Sequence, residues 1–214
     1  MRTATTARIA AALLAITIGA CAEDISGTSN DTPTTSSKYI ELNQAMRKLW
    51  SDHMHWTLAT VDAFFNEPSQ VETKLNRLLD NQKEIGAAIV PYYGQAAGDK
   101  LTALLTVHIQ QAVPVLQAAQ NNDQAALDKA LADWYKNAND IATFLSEANP
   151  KNWPTSVTEH HLSTHITQTT EYAVNILKGD YSASTKGFEE ALQHMLMLAD
   201  LLAKGIAEQF PDKF

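Results

Sequence analysis

Residues 39–66 of this 214-residue chain, YIELNQAMRKLWSDHMHWTLATVDAFFN, decide the fold class. Apolar or weakly polar side chains recur every three or four residues along this stretch, which is the period of one helix face. The resulting seam consists of Leu42, Met46, Leu49, His53, Trp56, Thr60 and Phe64. The stretch therefore predicts a long amphipathic helix, which ends before Pro68.

The rest of the chain shows the same pattern five more times, and no window has the alternation of a strand. The next four predicted helices span about residues 69–92, 96–119, 124–149 and 155–178. The last one starts after Ser182 or Ser184 and ends at Pro211. Asp123 is predicted to cap the fourth helix and Gly179 to end the fifth. Six such helices with short connections predict an all-α, up-down bundle over residues 38–214, with a core like that of a four-helix bundle.

Three of these helices carry further seams at the same spacing. The seams are Leu101, Leu104, Leu105, His108, Ala112, Val115 and Ala119 in helix three; Leu162, His165, Ile166, Thr169, Ala173 and Ile176 in helix five; and Phe188, Ala191, Met195, Ala199, Leu202 and Ile206 in helix six. A histidine thus takes a leucine-like position near the midpoint of helices one, three and five. If the helices alternate up and down, these three run parallel and their midpoints share one buried layer.

Three buried imidazoles, from His53, His108 and His165, are costly unless something satisfies their polar atoms. A transition-metal ion does so by accepting neutral ring nitrogens at about 2.0–2.1 Å. The sequence therefore predicts a zinc, copper or iron site, with Met195 as a fourth ligand. Asp200 or Asp140 is the alternative group to complete or orient this site.

Two other interpretations of the histidines stay open. A core histidine is often held by a nearby hydrogen-bonding side chain, and the candidates here are Thr57, Asn137, Asp140 and Thr169. The chain would then be a structural or partner-binding protein without a metal. A three-histidine metalloenzyme is the third possibility. Since the sequence has no catalytic signature, it favours metal binding, buffering or delivery over catalysis.

The remaining histidines give weaker signals. His161 lies four residues before His165 on one helix face, a spacing that lets two imidazoles share an ion. His160 and His161 are nevertheless predicted to decorate the first turns of helix five. His55 falls on the solvent-facing side of helix one.

The first 20 residues have the layout of a secretory signal, with Arg2 and Arg8 ahead of a short apolar run. This run is too short to span a bilayer, which takes about 20 apolar residues. It ends in Ile18-Gly19-Ala20-Cys21, which resembles the lipobox of bacterial lipoproteins.

That resemblance implies removal of residues 1–20 and a lipid on Cys21, the only cysteine. Residues 21–37 would then form a polar tether. Ala22 after the cysteine implies sorting to the outer membrane, with the bundle facing the periplasm. An ordinary secretory signal is the alternative.

The charge of the chain excludes some partners. The formal net charge is −8, and removal of residues 1–20 would leave 14 basic and 24 acidic residues. Such an acidic chain is unsuited to nucleic acid, whose phosphates are met by clustered Lys and Arg. It is equally unsuited to anionic lipid head groups, so membrane attachment is predicted to depend on the lipid alone. The sequence indicates no particular protein partner.

Several short segments resemble a family of small bacterial helical-bundle proteins. These segments are residues 49–57 (LWSDHMHWT), 104–108 (LLTVH), 134–138 (WYKNA), 179–181 (GDY) and 209–211 (QFP). The resemblance covers about residues 45–211, and the family pattern has histidines that match His53, His108 and His165. It implies a helical bundle and no particular activity.

Overall fold

The computed structural model describes residues 33–214, which are helical throughout apart from short connections. The α-helices are α1 (Ser37–Asn66), α2 (Val71–Tyr93), α3 (Gln95–Gln120), α4 (Gln124–Ala148), α5 (Thr155–Leu177) and α6 (Tyr181–Gln209). Short 3-10 turns lie at Pro33–Thr35, Pro68–Gln70 and Pro211–Lys213. The predicted all-α bundle is confirmed. Cys21, the predicted signal and most of the predicted tether lie outside the described residues.

The six helices form a closed ring. Each helix packs against the next one along the chain, and α6 completes the ring by packing against α1. Since connections of one to six residues join helices of 23 to 30 residues, neighbouring helices run antiparallel. The alternate helices α1, α3 and α5 also contact one another inside the ring. This contact brings the midpoints of three parallel helices to the centre of the core.

Local capping residues set the helix boundaries. The Asp123 side chain accepts a hydrogen bond from the backbone N–H of Ala126, and Gly179 takes a positive φ of 74° after α5, both as predicted. The predicted start of α6, after Ser182 or Ser184, is a few residues too late. The helix begins at Tyr181 because the carboxylate of Asp180 caps it through the backbone N–H of Ala183.

The predicted seams agree best with the structure in α5 and α6, where every seam residue is buried. In α1 the buried stripe is wider than predicted. Trp50, Met54 and Thr57 are buried, whereas Leu49 and Trp56 are only half-buried. The reason is that α1 packs against α2 and α6 on its two sides and against α5 and α3 inside the ring, so it needs more than one row of inward side chains.

The connection between α4 and α5 is anchored to α6. Trp153 is buried, and its indole N–H donates a hydrogen bond to the carbonyl of Leu201 at 3.1 Å. The Asn149 side-chain amide donates to the carbonyl of Gly205 at 2.8 Å. The absence of a side chain at Gly205 leaves the space that the indole ring occupies. This contact fixes the end of α4 and the start of α5 relative to α6.

Candidate metal centre

Three imidazoles lie together at the centre of the ring, from His53 in α1, His108 in α3 and His165 in α5. These residues, called the histidine layer below, are 2%, 3% and 2% exposed. Nε2 of His53 and Nε2 of His165 are 3.5 Å apart. The ring centres of His53 and His165 are 5.4 Å apart, and those of His108 and His165 are 5.8 Å apart. The three histidines at the helix midpoints therefore lie together, as predicted.

Hydrogen-bonding side chains orient two of the rings. His108 Nδ1 lies 2.9 Å from Oδ1 of Asn137 in α4, and the amide of Asn137 in turn donates to the carbonyl of Leu104. His108 therefore carries its proton on Nδ1 and donates it to Asn137. His165 Nδ1 lies 3.4 Å from Oγ1 of Thr169, one turn further along α5. Both partners were among the hydrogen-bonding candidates that the sequence offers.

His53 has a hydrogen-bonding partner in α2 that was not among the predicted candidates. Its Nδ1 lies 3.3 Å from Nε2 of Gln82 in α2. The same amide nitrogen lies 2.8 Å from the carbonyl oxygen of Leu78 and 3.2 Å from Oδ1 of Asn81, so three acceptors share its two hydrogens. Since Gln82 offers a donor, Nδ1 of His53 accepts and the ring carries its proton on Nε2, which faces His165. A signal for Gln82 does exist, because Asn81 and Gln82 continue the helical spacing between Leu78 and Ile85.

Burial keeps all three imidazoles neutral. It lowers the pKa of His53 from 6.5 to about 3, with a further decrease from the charge of His108 that the hydrogen bond of Gln82 partly opposes. Burial likewise lowers the pKa of His108 to about 4. Burial, and then the charges of His53, His108 and His194, hold the pKa of His165 well below 6.5. Neutral imidazole is the form that ligates metals.

A small cavity of about 30 Å³ adjoins the layer and is lined in part by all three histidines. Such a volume holds one or two waters or a single ion. No Asp or Glu occurs among the described residues that line it. Two indoles flank the layer, with Trp50 centred 5.7 Å from His53 and Trp134 centred 5.2 Å from His108.

In their present positions, His53 and His165 are spaced so that both could bind one ion, whereas His108 is not oriented towards it. Two nitrogens on one tetrahedral ion lie about 3.3 Å apart, which is close to the 3.5 Å between His53 and His165. The rings of His108 and His165 are stacked within 25° of parallel, so their lone pairs do not converge. Within residues 33–214, no three or more His, Cys, Asp or Glu side chains are placed so that they could hold a metal ion.

The other predicted ligands lie away from the cavity. Met195 is fully buried in α6 and is not one of the residues that line the cavity. Asp200 pairs with Arg47 at 2.6 Å, and Asp140 pairs with Lys136 at 3.0 Å. Because both carboxylates are about half-exposed and engaged at the surface, the idea that one of them orients the site is wrong. Uncharged amides and a hydroxyl orient the rings instead.

Comparison with known protein families, with curated proteins and with solved structures finds no match for this chain. The resemblance to small bacterial helical-bundle proteins therefore stays a prediction. Among the described helices, none combines the length and the apolar character of a membrane span.

Proposed function

We propose that this protein binds one transition-metal ion, namely zinc, copper or iron, through His53, His108 and His165. The observation that supports this best is the 3.5 Å approach of two buried ε-nitrogens beside a cavity that a third imidazole lines. Each δ-nitrogen lies near a polar side chain from the surrounding shell, as is usual for metal-binding histidines. The role would be binding, buffering or delivery of the ion.

Ion binding requires a local rearrangement of the layer. The ring of His108 must turn so that its Nε2 lone pair meets those of His53 and His165. The proton on Nε2 of His53 must move to Nδ1, which then needs an acceptor. Oε1 of Gln82 is buried without a hydrogen-bond partner, and it can accept this proton if the amide turns and gives up its bonds to Leu78 and Asn81. These changes involve side chains only and leave the helices in place.

The direct test is titration of the purified protein with Zn(II), Cu(II) and Fe(II) in separate experiments. We expect one ion per chain in the core, and we expect His165→Gln to weaken its affinity by at least about a hundredfold, because one of three ligands is lost. Glutamine keeps a hydrogen-bonding side chain of similar size. Isothermal calorimetry gives both the stoichiometry and the affinity.

The control for this titration is His55→Gln, which makes the same change at an exposed histidine of α1. It should bind the core ion as the unaltered protein does. The proposal is wrong if none of the three metals binds in the core, or if His165→Gln binds it with unchanged affinity.

A structural role without a metal is the second candidate, and one observation favours it. In the described residues, no ring nitrogen of the histidine layer is a buried atom without a hydrogen-bond partner. The δ-nitrogen of each ring is thus engaged by Gln82, Asn137 or Thr169, and the layer would fix the register of α1, α3 and α5. If no ion binds in the titration, the structural role without a metal is the remaining proposal.

We further propose that the protein is a lipid-anchored envelope protein, exported through residues 1–20 and modified on Cys21. The support is the lipobox-like Ile18-Gly19-Ala20-Cys21 after a charged and then apolar start. After expression in a bacterium that processes lipoproteins, mass spectrometry should find a diacylglyceryl group on Cys21 at the new amino terminus. Cys21→Ser should release the protein from the membrane fraction. A mature chain that keeps residues 1–20, or an unmodified Cys21, would contradict the proposal.

A further inference from the structure

A second group of imidazoles lies outside the histidine layer. It consists of His160 and His161 in α5 and His194 in α6, and it is called the outer cluster below. The ring centres of His161 and His194 are 4.9 Å apart. Those of His160 lie 5.9 Å from His161 and 6.3 Å from His194. Two imidazoles on one ion have ring centres about 5 Å apart, so the closest pair is already at ligand spacing.

The ring nitrogens of this cluster are suited to a cation. His194 Nε2 lies 2.9 Å from the carbonyl oxygen of His161 and donates to it, which leaves the lone pair on Nδ1. A backbone carbonyl is a usual orienting partner of a metal-binding histidine. His161 Nδ1 is buried and has no hydrogen-bond partner, and a bound ion would satisfy it. His160 is exposed, so the cluster is open to solvent on that side.

The outer cluster is adjacent to the histidine layer through α5. His161 and His165 are four residues apart, which places them on one face of the helix about one turn apart. The carbonyl of His161 that accepts from His194 is also the helical acceptor of the backbone N–H of His165. His165 is therefore the residue of the layer that also borders the outer cluster. The sequence spacing of His161 and His165 indicated this pair, but not the part of His194 in α6.

We propose that His161 and His194 form the centre of an outer cation site that captures the metal ion and passes it to His165. The exposed ring of His160 must turn to join them, because in their present positions the three imidazoles do not form a group that could hold an ion. The inference depends on the proposed metal binding in the core. It supplies an entry path for the ion to the buried layer. Capture at the surface raises the local ion concentration next to the layer, so the outer site should control the rate of loading and not the final affinity.

Cu(II) is the probe for this inference, because it quenches tryptophan fluorescence and Trp50 and Trp134 lie against the histidine layer. We expect the protein to bind two Cu(II) ions and to show quenching in stopped-flow mixing. The triple variant His160→Gln/His161→Gln/His194→Gln should bind one Cu(II) ion fewer than the unaltered protein. Its rate of quenching should be at least tenfold lower. The final amplitude and the core affinity should not change.

Two further variants separate the possible outcomes. The triple variant His53→Gln/His108→Gln/His165→Gln should keep the outer ion and lose the fast quenching. The control variant His55→Gln should behave as the unaltered protein. If the outer variant loads at the same rate, the inference is wrong while core binding stands. If the unaltered protein binds no ion in the core, both the inference and the proposed function are wrong. Circular dichroism of each variant checks that it is folded.

Discussion

Acidification to about pH 4.5 is expected to unfold this protein, because three imidazoles are buried in the neutral form. The unfolded chain takes up protons on His53, His108 and His165 below their ordinary pKa of 6.5. The folded chain takes them up only near pH 3 on His53 and near pH 4 on His108. Since the unfolded state then binds more protons, stability is complete above about pH 6.5 and falls as the pH is lowered.

The expected decrease in the free energy of unfolding at pH 4.5 is large compared with the stability of a typical domain. Each such histidine contributes a slope of about 1.4 kcal/mol per pH unit once the unfolded chain is protonated. At pH 4.5 the shifts of His53 and His108 together remove roughly 5 kcal/mol from the free energy of unfolding. His165 acts in the same direction. The free energy of unfolding of a domain is only about 5–15 kcal/mol, so this decrease is comparable with the total stability.

The measurement is urea unfolding at a series of pH values, with a chelator present so that no metal stabilises the folded state. The slope of the free energy against pH counts the protons that the unfolded chain gains. His108→Gln should lower this count by about one, because Gln can still bond with Asn137 but does not titrate. A stability that stays constant between pH 7 and pH 5 would show that the layer is not buried as a neutral group.

The sequence predicts the helices and the histidine layer because both depend on spacing along one helix at a time. The 3.6-residue period places His53, His108 and His165 on inward faces, and antiparallel packing of neighbours then brings their midpoints to one level. Capping at Asp123 and Gly179 follows from local chemistry in the same way. Both the helical period and the caps are determined by residues within a single segment of the chain.

What the sequence could not predict depends on how two helices are rotated against each other. Gln82 meets His53 from α2, 29 residues further along the chain. Asn137 was a candidate partner, but its pairing with His108, also 29 residues away, depends on the contact between α3 and α4. The engagement of Asp200 with Arg47 depends in the same way on the contact between α6 and α1. Asp140 is different, since its pairing with Lys136 four residues earlier was visible in the sequence as a surface pair.

The same substitution at two glycines of α6 should change stability in opposite directions. A β-carbon at Gly205 would lie 2.1 Å from Nε1 and 2.7 Å from Cε2 of the buried Trp153 indole. The rigid ring cannot give way without breaking its hydrogen bond to the carbonyl of Leu201. Gly205→Ala is therefore expected to destabilise the protein by about 3 kcal/mol, which lowers the thermal midpoint by roughly 6–12 °C.

Gly187 is the matched control, because it lies in the same helix and its added β-carbon would meet only Tyr172, at 3.4 Å and beyond. Alanine loses less conformational entropy than glycine on forming a helix, so Gly187→Ala should stabilise the protein by about 0.5–1 kcal/mol. Thermal unfolding followed by circular dichroism measures both variants. If Gly205→Ala were as stable as Gly187→Ala, the indole of Trp153 would not occupy the space at Gly205, and the anchoring of the α4–α5 connection to α6 would have to be reconsidered.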